Sequence, residues 1–128
     1  DVFFLGEIPR KISFEKGRLD NDPLLDDSAI ALKTSKGVVV ISGCSHAGIC
    51  NICEYAKQVT GLPLYAVIGG FHLFEKDEKT VEGTLNYFQK EKPTHLYPMH
   101  CVDFPTLAKF LQFFPMKKYS AGDLISLG

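Results

Sequence analysis

Three short apolar runs, each closing on a histidine, constrain this chain more than any other feature. "ISGCSH" ends in His46, "VIGGFH" in His72 and "LYPMH" in His100. The intervals are 26 and 28 residues, each near the ~30 residues of one βαβ unit. Between the runs lie stretches with helical periodicity. "AGICNICEYAKQVTG" sets Ile49, Ile52, Cys53 and Ala56 on one face and stops at Gly61. "EKTVEGTLNYFQKEK" sets Val81, Leu85 and Phe88 on one side and charges on the other, an amphipathic helix in spite of Gly83. After the third run, "DFPTLAKFLQFF" reads as a helix with Asp103 as N-cap and Pro105 in its first turn. From residue 37 the order is strand, helix, strand, helix, strand, helix, which predicts α/β architecture.

The remainder fits around this unit. "DVFFL" reads as a short strand ended by Gly6 and Pro9, and residues 13 to 27 as a polar surface loop. "SAIALKT" and "GVVVISG" form a hairpin across Ser35, Lys36 and Gly37, the second strand buried on both faces. "KKYSAGDLISLG" predicts a closing strand or two. A length of 128 residues fits one domain. A formal net charge of -1 argues against nucleic acid or an anionic membrane as partner, and no apolar run reaches the length of a membrane span. Four clustered cysteines fit reduced thiols better than a disulfide scaffold, so a cytoplasmic location is expected.

If the three strands are parallel neighbours, their carboxyl ends share one sheet edge, where ligand sites of open α/β sheets lie. His46, His72 and His100 then converge as metal ligands. Cys44 stands two residues before His46 and would share its face in an extended segment. Gly43, Gly48, Gly69 and Gly70 allow close approach, and the helix after Ala47 directs free amide groups to the same edge, favouring an anion such as phosphate. His95 opens its strand, so it belongs to the opposite edge in a structural role. Cys50 and Cys53 fall on the apolar stripe of their helix and read as small core residues. Cys101 either supports its neighbour His100 or simply packs. Asp26 and Asp27 fit a solvated turn better than a reach into the site.

Five segments carry a wider resemblance: "GEIPR", "LLDDSAIAL", "GVVVISGCSHAGICNI", "VIGGFHL" and "MHC", in that order. From about Gly6 onward the chain resembles one branch of the metallo-β-lactamase superfamily, the branch of dihydropterin ribofuranosyl-aminobenzene phosphate synthases and their relatives. The resemblance implies an αββα sandwich with a metal site between the upper edges of two sheets. It implies two metal ions, zinc first and iron or manganese as alternatives, with a metal-bound hydroxide attacking a phosphorylated or ester substrate. His46 and His100 match ligand histidines of this pattern. Cys44 stands where relatives place a bridging Asp or a ligand Cys, and His72 matches a ligand or substrate contact. Glu7 and Arg10 of "GEIPR" match a motif near the substrate pocket, where Arg10 could clamp phosphate.

Two departures stand out. His-Cys-Thr-Gly of the family reads His100-Cys101-Val102-Asp103 here, and the family's His-x-His-x-Asp-His signature is absent. The chain is therefore expected to be the C-terminal half of such a fold, an expectation that Asp1 and the opening in mid-strand share. Such a half, inactive alone, would meet a missing N-terminal half or a second copy across its open sheet face and share a small-molecule substrate with it. Two other readings compete: a non-catalytic module binding a ligand or partner protein, and a redox role for iron with Cys44 and Cys101.

Overall fold

The computed structural model describes all 128 residues. Five strands form one sheet in chain order: β1 (Val2–Phe4), β2 (Ala29–Thr34), β3 (Gly37–Ser42), β4 (Leu64–Gly70) and β5 (His95–Met99). The first three pair antiparallel and the last three parallel, so the β2–β3 hairpin feeds an α/β unit of the predicted kind. Helices α1 (Ile49–Thr60), α2 (Glu78–Glu91) and α3 (Phe104–Leu111) follow β3, β4 and β5.

Local chemistry sets the helix ends. The carboxylates of Asp77 and Asp103 accept from the backbone N–H groups of Thr80 and Thr106, capping α2 and α3. Gly61, left-handed at φ 70, ends α1 by donating its N–H to the Lys57 carbonyl. The helices bury one face of the sheet. Val38, Val40, Val67 and Leu96 join Ile49, Ile52, Cys53, Ala56, Leu85, Phe88 and Phe110 in one core. Phe71 stacks on Phe88 at 5.5 Å between ring centroids and meets Phe110 edge-on at 6.3 Å. Each such side chain contributes about 1.5–3 kcal/mol by leaving water.

The loop between β1 and β2 is more than a surface feature. Glu15 and Gly17 are buried within it. Arg10 anchors it by donating to the carbonyls of Gly17, Pro23 and Leu24.

The closing strand expected over 117–128 is not formed. This segment runs over the sheet's second face without joining a sheet edge, so its backbone finds no ladder to extend. Side chains hold it instead. The Tyr65 hydroxyl donates to the Leu127 carbonyl, Lys36 Nζ donates to the Gly128 carbonyl, and the Tyr97 and Tyr119 rings meet at 5.1 Å. Leu127 packs with Val39, Tyr65 and Ala66. The second face is therefore dry at Val39 and Ala66, so the open sheet face expected of a half fold is covered in part by the chain's own tail. Farther along it, Val2, Phe4, Ile30 and Ile41 stay exposed.

Candidate metal centre

Each parallel strand ends in a residue forced into the left-handed region. Ser45 follows β3 at φ 60, His72 follows β4 at φ 51, and Cys101 follows β5 at φ 51. Non-glycine residues adopt this conformation at a cost, and it clusters at functional sites. The three segments remain tied beyond the turns. The Gly70 N–H donates to the Gly43 carbonyl at 2.7 Å, and the Leu73 N–H to the Cys101 carbonyl at 2.8 Å. Gly70 must lack a side chain: a Cβ there would lie 2.6 Å from the Gly43 oxygen and 2.8 Å from Cys101 Sγ.

The side chains gather in two adjoining groups. In one, the ligand atoms of Cys44, His100 and Cys101 all lie within 4.8 Å of one another. In the other, His46 Nδ1 faces a carboxylate oxygen of Asp27 at 3.5 Å, and the His46 and His72 rings meet edge to face at 4.9 Å. The His72 N–H, donating to Cys101 Sγ at 3.3 Å, joins the two. Burial, followed by the nearby Lys76 and His46, pushes the His72 pKa down, against a smaller upward pull from Asp27. Burial likewise raises the Cys101 thiol, and neighbouring Cys44 adds to the rise.

This arrangement revises several expectations. Cys44 and His46 do not share a face, because the left-handed Ser45 between them breaks the extended segment. Cys44 joins the His100 group and His46 the His72 group. Cys101, whose role was open, lies within the first group. Asp27 is not a solvated turn residue: it also accepts the Ala47 N–H at 2.9 Å. The hairpin register carried the signal for it. Ala29 pairs with Ser42, so continuing the register backward sets Asp27 opposite Cys44.

The α1 amides of Cys50 and Asn51 are not open to an outside anion. The buried Glu15 carboxylate takes the Cys50 and Asn51 N–H groups at 2.7 and 2.8 Å. Arg10 has its guanidinium engaged by loop carbonyls, which leaves it poorly placed to clamp phosphate. Glu7 is exposed. His95 lies at the opposite edge, where its ring nitrogens meet the Tyr97 and Tyr65 hydroxyls at 3.1 and 3.3 Å. Cys50 and Cys53 are fully buried core residues.

No protein-family model matches the chain. It is 33% identical over 140 residues to the 7,8-dihydropterin-6-methyl-4-(β-D-ribofuranosyl)-aminobenzene-5'-phosphate synthase of Methanocaldococcus jannaschii, with 97% of this chain and 48% of that protein covered. It is 32% identical to the uncharacterized protein MJ0448 of the same organism, with 88% of this chain and 44% of that protein covered. The crystal structure of Tm1679, a metal-dependent hydrolase of the β-lactamase superfamily, superposes with a TM-score of 0.76 at 26% identity, covering 92% of this chain and 49% of that one. The chain thus spans about half the length of the relatives it matches. The order of its strands, the strand-end residues and these likenesses agree: the chain belongs to the metallo-β-lactamase superfamily.

Proposed function

We propose that the chain is the C-terminal half of a metal-dependent hydrolase or synthase acting on a phosphorylated or ester substrate, and that its strand-end edge supplies part of the metal centre. The observation that carries the reading is the gathering of Cys44, His100 and Cys101 within 4.8 Å, beside His46, His72 and Asp27. The donor set fits a metal. Thiolates and imidazoles on one tetrahedral zinc stand ~3.5 Å apart, given bonds of about 2.0–2.3 Å, and side-chain rotation would bring these donors, now within 4.8 Å of one another, to that spacing. These ligands suit zinc first and iron as well. When bound, such an ion polarises a phosphoryl or carbonyl oxygen and lowers the pKa of water to ~7.

The chain's own residues prepare the edge. Asp27 orients the His46 ring through Nδ1 and leaves Nε2 as its ligating nitrogen. A cleft of ≈ 140 Å³ beside His46 and His72 is lined by Lys16 and Lys76 and by Glu15 and Asp77; the two carboxylates accept backbone amides of α1 and α2, and the two lysines would suit an anionic group. A more apolar cleft of ≈ 180 Å³ beside His100 is lined by Val102, Leu107, Leu111 and Met116. A ligand carrying both a phosphate and an aminobenzene ring, as does the product for which the pterin relative is named, would use both clefts. The remaining ligands would come from another half of the fold.

Metal content tests the reading. In native mass spectrometry of the purified protein, His46→Ala and His100→Ala should each lower bound zinc at least about tenfold, since loss of even a ligand's hydrogen-bond partner costs about 10–100-fold in affinity, and His95→Ala should leave it unchanged. Equal loss from all three would overturn the shared-edge reading.

A further inference from the structure

We propose that Cys44 and Cys101 form a reversible intramolecular disulfide that closes the strand-end edge to metal. The disulfide stands on the geometry of the two cysteines alone; its consequence for metal rests on the function proposed above.

The juxtaposition is not what the sheet would give by default. Cys44 follows β3 and Cys101 follows β5, and β4 lies between them. Two strand spacings amount to roughly 9–10 Å, too far for bridged cysteines, whose Cα atoms stand about 4.4–6.8 Å apart. Past the strand ends the chains curl over the middle strand, and Gly70 leaves room for them. A Cβ on Gly70 would stand 2.8 Å from Cys101 Sγ and 3.0 Å from Cys44 Cα, so both cysteines lie over the same glycine. Their sulfurs are within 4.8 Å, and Cys101 Sγ is 3.5 Å from the Cys44 carbonyl oxygen. Side-chain rotation can close the remaining gap to the ~2.05 Å of a disulfide. Both are free and half-buried, within reach of a small oxidant, whereas Cys50 and Cys53 are wholly buried on α1.

The oxidant is a small-molecule disulfide such as oxidised glutathione. The thiolate of one cysteine attacks it, forms a mixed disulfide and releases one glutathione thiolate. The second cysteine attacks the protein sulfur of that mixed disulfide and releases the other. Two protein thiols are oxidised, one glutathione disulfide is reduced to two glutathiones, and the protein's two protons pass to them. A bridged pair offers no thiolate to a metal, and a metal holding both thiolates withholds them from the oxidant.

The test exposes the 128-residue chain to oxidised glutathione, quenches with acid, and maps links by non-reducing digestion and mass spectrometry. The expected product is lighter by two hydrogen atoms and linked Cys44 to Cys101. Zinc added beforehand should slow the reaction by about tenfold. Cys101→Ser should instead leave Cys44 carrying one glutathione. The same digest in urea gives the pairing of the unfolded chain, where Cys50 and Cys53 are nearest in sequence. A folded-state pattern matching the urea pattern, glutathione on both cysteines without a link, or no reaction at Cys44 and Cys101 would overturn the disulfide. A disulfide that forms at the same rate with zinc present would overturn only its coupling to metal.

Discussion

Glu15 shows at the scale of one residue how the loop and the site depend on each other. Its buried carboxylate occupies the first amides of α1, donors that would otherwise face the site edge unpaired. Replacing it with Ala strands two buried N–H groups, and thermal or urea unfolding should show a loss of roughly 2–4 kcal/mol. Its pH dependence has a definite sign. Burial raises the Glu15 pKa above 4.5, and the hydrogen bonds from Asn51 and Cys50 offset only part of the rise. The folded chain therefore holds this proton more tightly than the unfolded chain. The stability it contributes is full below pH 4.5 and is lost as pH rises through the folded value. Urea melts of the wild type against the non-titrating Glu15→Gln variant should show the difference shifting against the wild type over that window; a difference independent of pH would contradict it. Gly17 is tied to the site as tightly. A Cβ there would fall 1.7 Å from the His46 carbonyl oxygen, so backbone must move. Gly17→Ala should cost about 3 kcal/mol and displace His46, which the His46 ring resonances in NMR would report. The strand-end positions of His46, His72 and His100 were legible because each closes an apolar run. Glu15, Asp27 and Gly17 were not, because their roles arise only when a loop distant in sequence folds onto the strand ends.

At the scale of elements, the strand and helix order from residue 37 onward could be read directly, since each strand is short, apolar and punctuated by glycine or proline and each helix carries a clear apolar face. The hairpin was equally plain, with its turn at Ser35 and Lys36. Two features were hidden. The tail after residue 117 alternates like a strand, but strand formation needs an available edge, which no local pattern reveals; Ile125 and Leu127 turn to the sheet without pairing. The left-handed turns after β3, β4 and β5 fall on Ser, His and Cys, and of these only His is enriched in that region, so no shared local pattern announces them. Gly83 is a related case. In an exposed helix an Ala there would add about 1 kcal/mol of stability. Here a Cβ would stand 2.8 Å from the Phe14 ring, so the glycine makes room for the loop that carries Glu15. Gly83→Ala should therefore lower the melting temperature, with a net loss near 1 kcal/mol; a stabilised variant would show that Phe14 shifts freely.

Across the whole molecule the two sheet faces are unequal. Three helices cover one face, while on the other the tail covers only the part around Val39, Tyr65 and Ala66. The register lines up Phe4 with Ile30 and Ile30 with Ile41, and Val2 with Leu32, so the exposed apolar residues form a connected patch. Val2 and Phe4 are 71% and 77% exposed. A contiguous apolar patch beside a half-covered sheet calls for a covering surface, and the chain's likeness to only about half of each relative points to the same need. In isolation the chain should therefore associate with itself as concentration rises, as sedimentation velocity would show. Phe4→Lys together with Ile30→Lys places two charges on that patch at positions already facing water, so stability should change by no more than about 1 kcal/mol. The double variant should remain monomeric with the helix and strand signature of the parent in circular dichroism. If the parent chain is itself monomeric at high concentration, the apolar face is tolerated in water, and neither a second half nor a second copy is needed to cover it.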